Sequence, residues 1–151
     1  MGSTRLTAVA TLAATALAVT GCGSSSKPLT RAELTAKANA ICKTVTAKLA
    51  SSKGIKTQQD IARVAPELAS FEQTALDGLG KLVPPAELAN DWKQFVAGAQ
   101  TLAENTAKLG EYAKANNLKA AKSLITSSEQ VQQQMVATAR RDGIADCEKV
   151  A

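Results

Sequence analysis

Apolar residues recur every three or four positions along four separate stretches of this chain, divided by short clusters of Gly, Pro, Ser and Asn. That period lines up side chains on one face of an α-helix. Such a helix must bury its apolar face against another element, so four in series constrain the chain to a helical bundle. Composition agrees, because Ala, Leu, Lys, Gln and Glu dominate while the 151 residues hold only nine Gly and four Pro.

Local signals punctuate the four stretches. Thr30 with Glu33 three positions on forms a capping box, and Leu29 can staple onto Leu34. Leu34, Ala38, Ile41, Val45 and Leu49 then make one stripe with Cys42 on its edge, and Ser51-Ser52-Lys53-Gly54 ends it. A second start at Thr57 and Asp60 opens a stripe of Ile61, Val64, Leu68, Phe71, Ala75, Leu79 and Leu82. Pro66 falls inside it and removes the bond to Ala62, which predicts a kink or short break around Arg63–Ala65. Pro84-Pro85 stops this helix, and Pro85 suits the first turn of the third. The third stripe is Leu88, Trp92, Phe95, Ala99, Leu102, Thr106, Leu109 and Ala113. Asn116-Asn117 breaks it and caps a fourth helix, from about Leu118 to Arg141, which carries Ala121, Leu124, Ile125, Val131, Met135 and Ala139. Ser128 and Gln132 fall near this weaker stripe, and Asp142-Gly143 closes it. Short connections between the four predict an all-α, antiparallel up-down-up-down four-helix bundle.

Ahead of the bundle, Arg5 is followed by an uncharged apolar run from Leu6 to Val19 and then Leu17-Ala18-Val19-Thr20-Gly21-Cys22. This stretch resembles the lipobox of bacterial lipoproteins. The resemblance implies cleavage between Gly21 and Cys22 and a diacylglyceryl thioether on Cys22. The apolar run is shorter than the ~20 residues that span a bilayer, which favours a signal peptide over a transmembrane helix. The expected organisation is a lipoprotein signal peptide over 1–21, a lipidated cysteine and flexible tether over 22–29, and a bundle domain over 30–151. The expected location is the extracytoplasmic face of the cell membrane, with the membrane as partner through Cys22 and an envelope protein as a further one.

Removing the first 21 of 151 residues takes away one of 18 basic residues, leaving 17 against 13 acidic ones. Lys27, Arg31, Lys37, Lys43, Lys48, Lys53 and Lys56 face only Glu33 in the segment nearest the anchor. Two readings stand: attraction to anionic headgroups, at ~1 kcal/mol per basic residue near the surface, or a solubilising helix face. Attraction fades within a Debye length of ~8 Å, which confines the first reading to Lys27 and Arg31. An exported chain without aromatic residues among its basic ones does not read as a nucleic-acid binder.

With lipid on Cys22, the cysteines left are Cys42 and Cys147, an even pair in the oxidising setting that export implies. A disulfide between them follows, tying the C-terminal tail to the first helix. Helix lengths then predict that Gly143 turns left-handed, that Ile144 tucks against the preceding turn, and that an extended Ile144–Cys147 segment climbs beside helix one.

The chain contains no His, which removes the common general base and metal ligand, the Glu-x-x-His di-iron motif, and Ser-His or Cys-His nucleophiles. No glycine-rich phosphate loop is present. The expectation is a non-enzyme with no cofactor, no metal and no catalytic residue. Phe71, Trp92 and Phe95, expected together toward the Pro84-Pro85 end, read either as plain core or as the walls of a small apolar ligand pocket. The run Ser127-Ser128-Glu129-Gln130 through Gln134 reads as a solvated face or a partner contact.

Ala38-Asn39-Ala40-Ile41-Cys42, Leu79-Gly80-Lys81-Leu82-Val83-Pro84-Pro85 and Gly143-Ile144-Ala145-Asp146-Cys147 together are similar to small helical lipoproteins and secreted proteins of high-GC Gram-positive bacteria. That group has no established activity. The functional expectation is a lipid-anchored envelope lipoprotein with a helical interaction domain. The alternative is a carrier or sensor of a small apolar ligand held near Phe71, Trp92 and Phe95.

Overall fold

The computed structural model describes residues 27–52 and 54–150. The lipobox, Cys22, the first part of the tether and Lys53 lie outside the described residues. Four helices pack together: α1 (Arg31–Ser51), α2 (Gln58–Gly80), α3 (Ala89–Lys114) and α4 (Leu118–Asp142). Short 3-10 turns at Ala86–Leu88 and Cys147–Lys149 complete the secondary structure, and the described residues contain no strand.

Each boundary has a local cause. Thr30 accepts from the Glu33 amide at 3.3 Å while the Glu33 carboxylate accepts from the Thr30 amide at 2.8 Å. Thr57 and Asp60 repeat the exchange, both bonds at 3.1 Å. Asn117 caps α4 through its side-chain oxygen and the Ala120 amide. The ends of α3 and α4 share one geometry. Asn116 (φ 53°) and Gly143 (φ 77°) turn left-handed, the conformations that Asn and Gly tolerate best. The following amides then reach back, Asn117 to the Tyr112 carbonyl at 2.9 Å and Ile144 to that of Ala139 at 2.8 Å. These are Schellman closures, and at the end of α4 Ile144 is buried as the hydrophobic contact of the motif.

Interhelical contacts make neighbours antiparallel. Gln58, opening α2, donates to the Ala113 carbonyl near the end of α3. Arg141, closing α4, pairs with Asp91 in the first turn of α3 at 2.9 Å. The core joins Leu34, Ala38 and Cys42 of α1 to Leu79, Trp92, Phe95, Met135, Ala139, Ile144 and Cys147. Burying a side chain such as Phe95 or Leu34 contributes about 1.5–3 kcal/mol. Glycines set the crossings. A Cβ on Gly98 of α3 would lie 2.7 Å from Met135 of α4, and one on Gly110 of α3 would lie 3.0 Å from Ala65 of α2.

Three local expectations are corrected. There is no break at Pro66, where the helix runs on because Ala65 and the Pro66 ring pack against α3 at Gly110 and offset the lost hydrogen bond. Pro85 precedes a 3-10 turn, closed by the Leu88 amide on the Pro85 carbonyl at 3.0 Å, and α3 proper begins at Ala89. The tail does not extend. Its Cys147 amide bonds to the Ile144 carbonyl at 3.0 Å, satisfying a donor that an unpaired extended segment would leave bare in the core. This turn suffices because the Asp146 amide already reaches the Asn39 side chain, one turn below Cys42. Cys42 and Cys147 are disulfide-bonded with Cα atoms 5.0 Å apart. Cys42 therefore stands at the centre of the α1 stripe, while Ile41, Val45 and Leu49 are half-buried beside it.

Candidate functional site

The interior opens toward the end of the bundle that holds the α1–α2 and α3–α4 connections. At the other end α1, the tail and α4 meet, so Ala38, Ala139 and Ile144 are almost wholly enclosed. Further along, α1 packs sparsely, and the inner faces of α3 and α4 are left partly uncovered. Leu118 and Ile125 of α4 are 63% and 46% exposed, although Ile125 belonged to the expected apolar stripe. Nothing crosses them there to exclude water.

Two adjoining spaces result. An interior cavity of about 60 Å³ is walled by Cys42, Leu76, Leu79, Phe95 and Met135 among others, with Glu72 as the single acidic group in its lining. A groove of about 280 Å³ continues between α3 and α4, bounded by Leu102, Thr106, Leu109, Leu124, Ile125 and Ser128 among others. Leu102 belongs to both walls. A hydrogen bond from the Asn105 amide group to the Ser128 hydroxyl at 3.0 Å fixes the width between the two helices.

Glu72 is the unusual member. Its Oε2 is buried with no hydrogen-bond partner. Burial pushes the carboxyl above the usual carboxylate range, and the Thr106 hydroxyl opposes that shift. A buried polar atom without a partner costs about 1–3 kcal/mol, and more when charged. The arrangement can hold a hydrogen-bond donor or cation at the inner end of an apolar cleft.

A second acidic group with a raised pKa is Asp142, at the closed end. Burial acts first and the nearby Asp91 carboxylate second, against Arg141 and Arg31. It seals the end of α4 beside an ion pair and faces no interior cavity.

Of the three aromatic residues singled out from the sequence, Trp92 and Phe95 are buried and stacked, with ring centroids 5.6 Å apart. Phe95 lines the cavity and Trp92 backs it from behind. Phe71 is half-buried and belongs to neither the cavity wall nor the core cluster. Sequence reasoning passed over Glu72, although a signal for it exists. Ala65, Glu72, Leu76 and Leu79 follow helical spacing, which sets one acidic residue inside a buried stripe.

Among the described residues no cluster of three His, Cys, Asp or Glu side chains could hold a metal ion. No helix among them is long and apolar enough to cross a membrane. Comparison with known proteins finds no matching family, no matching curated protein and no matching solved structure.

Proposed function

We propose that this chain is a lipid-anchored lipoprotein of the cell envelope whose helical domain acts by contact rather than catalysis. The observation that carries the reading is the Leu17–Cys22 stretch, which resembles a lipobox. The bundle opens at Thr30, so a tether of a few residues suffices between lipid and domain. The Cys42–Cys147 disulfide supports an oxidising compartment outside the cytosol, where such bonds form and persist. One acyl chain binds membranes only marginally, and two or more hold firmly. Replacing the lipid-bearing residue, Cys22→Ala, is therefore expected to release the protein from membrane fractions with its helical spectrum unchanged. Quantitative retention of that variant in the membrane, or failure of the native chain to incorporate labelled fatty acid, refutes the anchor.

A second reading, a carrier or sensor of a small apolar ligand, is favoured by the cavity beneath Phe95 and the groove that continues it.

A further inference from the structure

We propose that the cleft lined by α2, α3 and α4 binds a small cationic amphiphile, its ammonium head against Glu72 of α2 and its alkyl chain along the groove toward Leu109 and Ile125. This inference rests on the carrier reading and adds the chemistry of the ligand.

Three observations carry it. The first is the orphaned Glu72 Oε2, buried in a wall that is otherwise aliphatic, aromatic or disulfide. As packed, that oxygen has neither a donor nor a countercharge. An ammonium group supplies both a donor and a charge, and charge-assisted hydrogen bonds are roughly twice as strong as neutral ones. An anionic head would meet the carboxyl unfavourably. The second is continuity. Leu102 belongs to the cavity and to the groove, and Thr106 touches Glu72 while lining the groove, so the two spaces adjoin across the Leu102 side chain, whose rotation would let one elongated molecule occupy both. The third is size and lining. A groove of about 280 Å³ and a cavity of about 60 Å³ together reach the lower end of the ~300–1,000 Å³ typical of small-ligand sites. Leu102, Leu109, Leu124 and Ile125 offer the chain an apolar track, bordered on its polar edge by the bonded pair Asn105 and Ser128 and by Glu129 and Gln132.

The test compares hexylamine, hexanol and hexanoate by titration calorimetry at neutral pH on the full chain, then on Glu72→Gln. Hexylamine is expected to bind ~10-fold or more tighter than hexanol, with hexanoate weakest, a difference of ~1.4 kcal/mol or more. Glu72→Gln, which preserves shape, is expected to erase the preference for the amine over hexanol. Equal binding of amine and alcohol to the native chain overturns the headgroup assignment and leaves the carrier reading intact. Absence of binding by all three overturns both. The comparison on the native chain stands whether or not the variant folds. A crystal structure grown with saturating hexylamine and showing water alone beside Glu72 also overturns the proposal.

Discussion

Reducing the Cys42–Cys147 disulfide is expected to loosen α1 while leaving the α2–α3–α4 core folded. The bond joins residues 105 apart in sequence. Releasing a loop of that length returns chain entropy to the unfolded state worth up to ~4.7 kcal/mol, with 2–4 kcal/mol more typical. Both sulfur atoms are buried, and free thiols behave as small apolar groups, so packing around them is largely retained on reduction. Unfolding entropy near ~2.1 cal/mol/K per residue gives ~0.25 kcal/mol/K for a bundle of ~120 residues. The melting temperature should therefore fall by about 8–19 °C. The loss is not shared equally. α1 packs on α2 only sparsely, and the tail bound to Cys42 and Asn39 is its main link to the α4 side. Circular dichroism melts with and without a phosphine reductant measure the global shift, and native-state hydrogen exchange locates it. Amides of α1 should lose protection before those of α2 and α3. A shift below ~3 °C, or α1 amides as protected as those of α3 after reduction, refutes the account.

The crossings yield a test in which propensity and packing disagree. Gly98→Ala and Gly110→Ala should destabilise by about 1–3 kcal/mol despite alanine's helix preference, since each new Cβ meets another helix. Gly80→Ala, open on all sides, should be neutral or stabilising by up to ~1 kcal/mol, and denaturant titration distinguishes the cases. Glu72, whose pKa burial raises above 4.5, binds its proton more tightly when folded. Its contribution to stability is thus lost as pH rises through the window above 4.5, so Glu72→Gln should melt higher than the native chain at neutral pH and converge with it in acid. Asp60 runs the other way, held down to about 2 by the Thr57 hydroxyl and the Lys56 and Thr57 amides. Its stabilisation is present above 3.8 and lost as pH falls toward 2, and Thr57→Ala should flatten that part of the pH–melting profile.

The parts legible in the sequence are those whose causes lie within a few residues. Thr30 with Glu33, Thr57 with Asp60, and Asn117 each satisfy helix ends with atoms three positions away, so reading residue types suffices. Gly143 and Ile144 are of the same kind. The misread parts depend on where a distant helix lies. Pro66 carries a local penalty in any helix, and what offsets it is packing at Gly110, far along the chain and outside the apolar stripe of its own helix. Helix lengths alone do not contain the register that sets Asp146 beside Asn39, and so they predict a longer tail than the turn that forms.

The cleft was hidden by the same kind of ambiguity. An α-helix repeats every 3.6 residues, so α2 admits two overlapping stripes, one through Val64, Phe71 and Ala75, the other through Ala65, Glu72 and Leu76. Apolar character favours the first, because it collects an aromatic residue and no charge. Burial follows the second, with Ala65, Leu76 and Leu79 enclosed and Phe71 half-exposed. What decides between them is the close approach of α3, where Gly110 leaves room for Ala65, on the same face of α2 as Glu72. A glycine on one helix thereby positions a carboxyl on another, and no pattern within either helix alone contains that information.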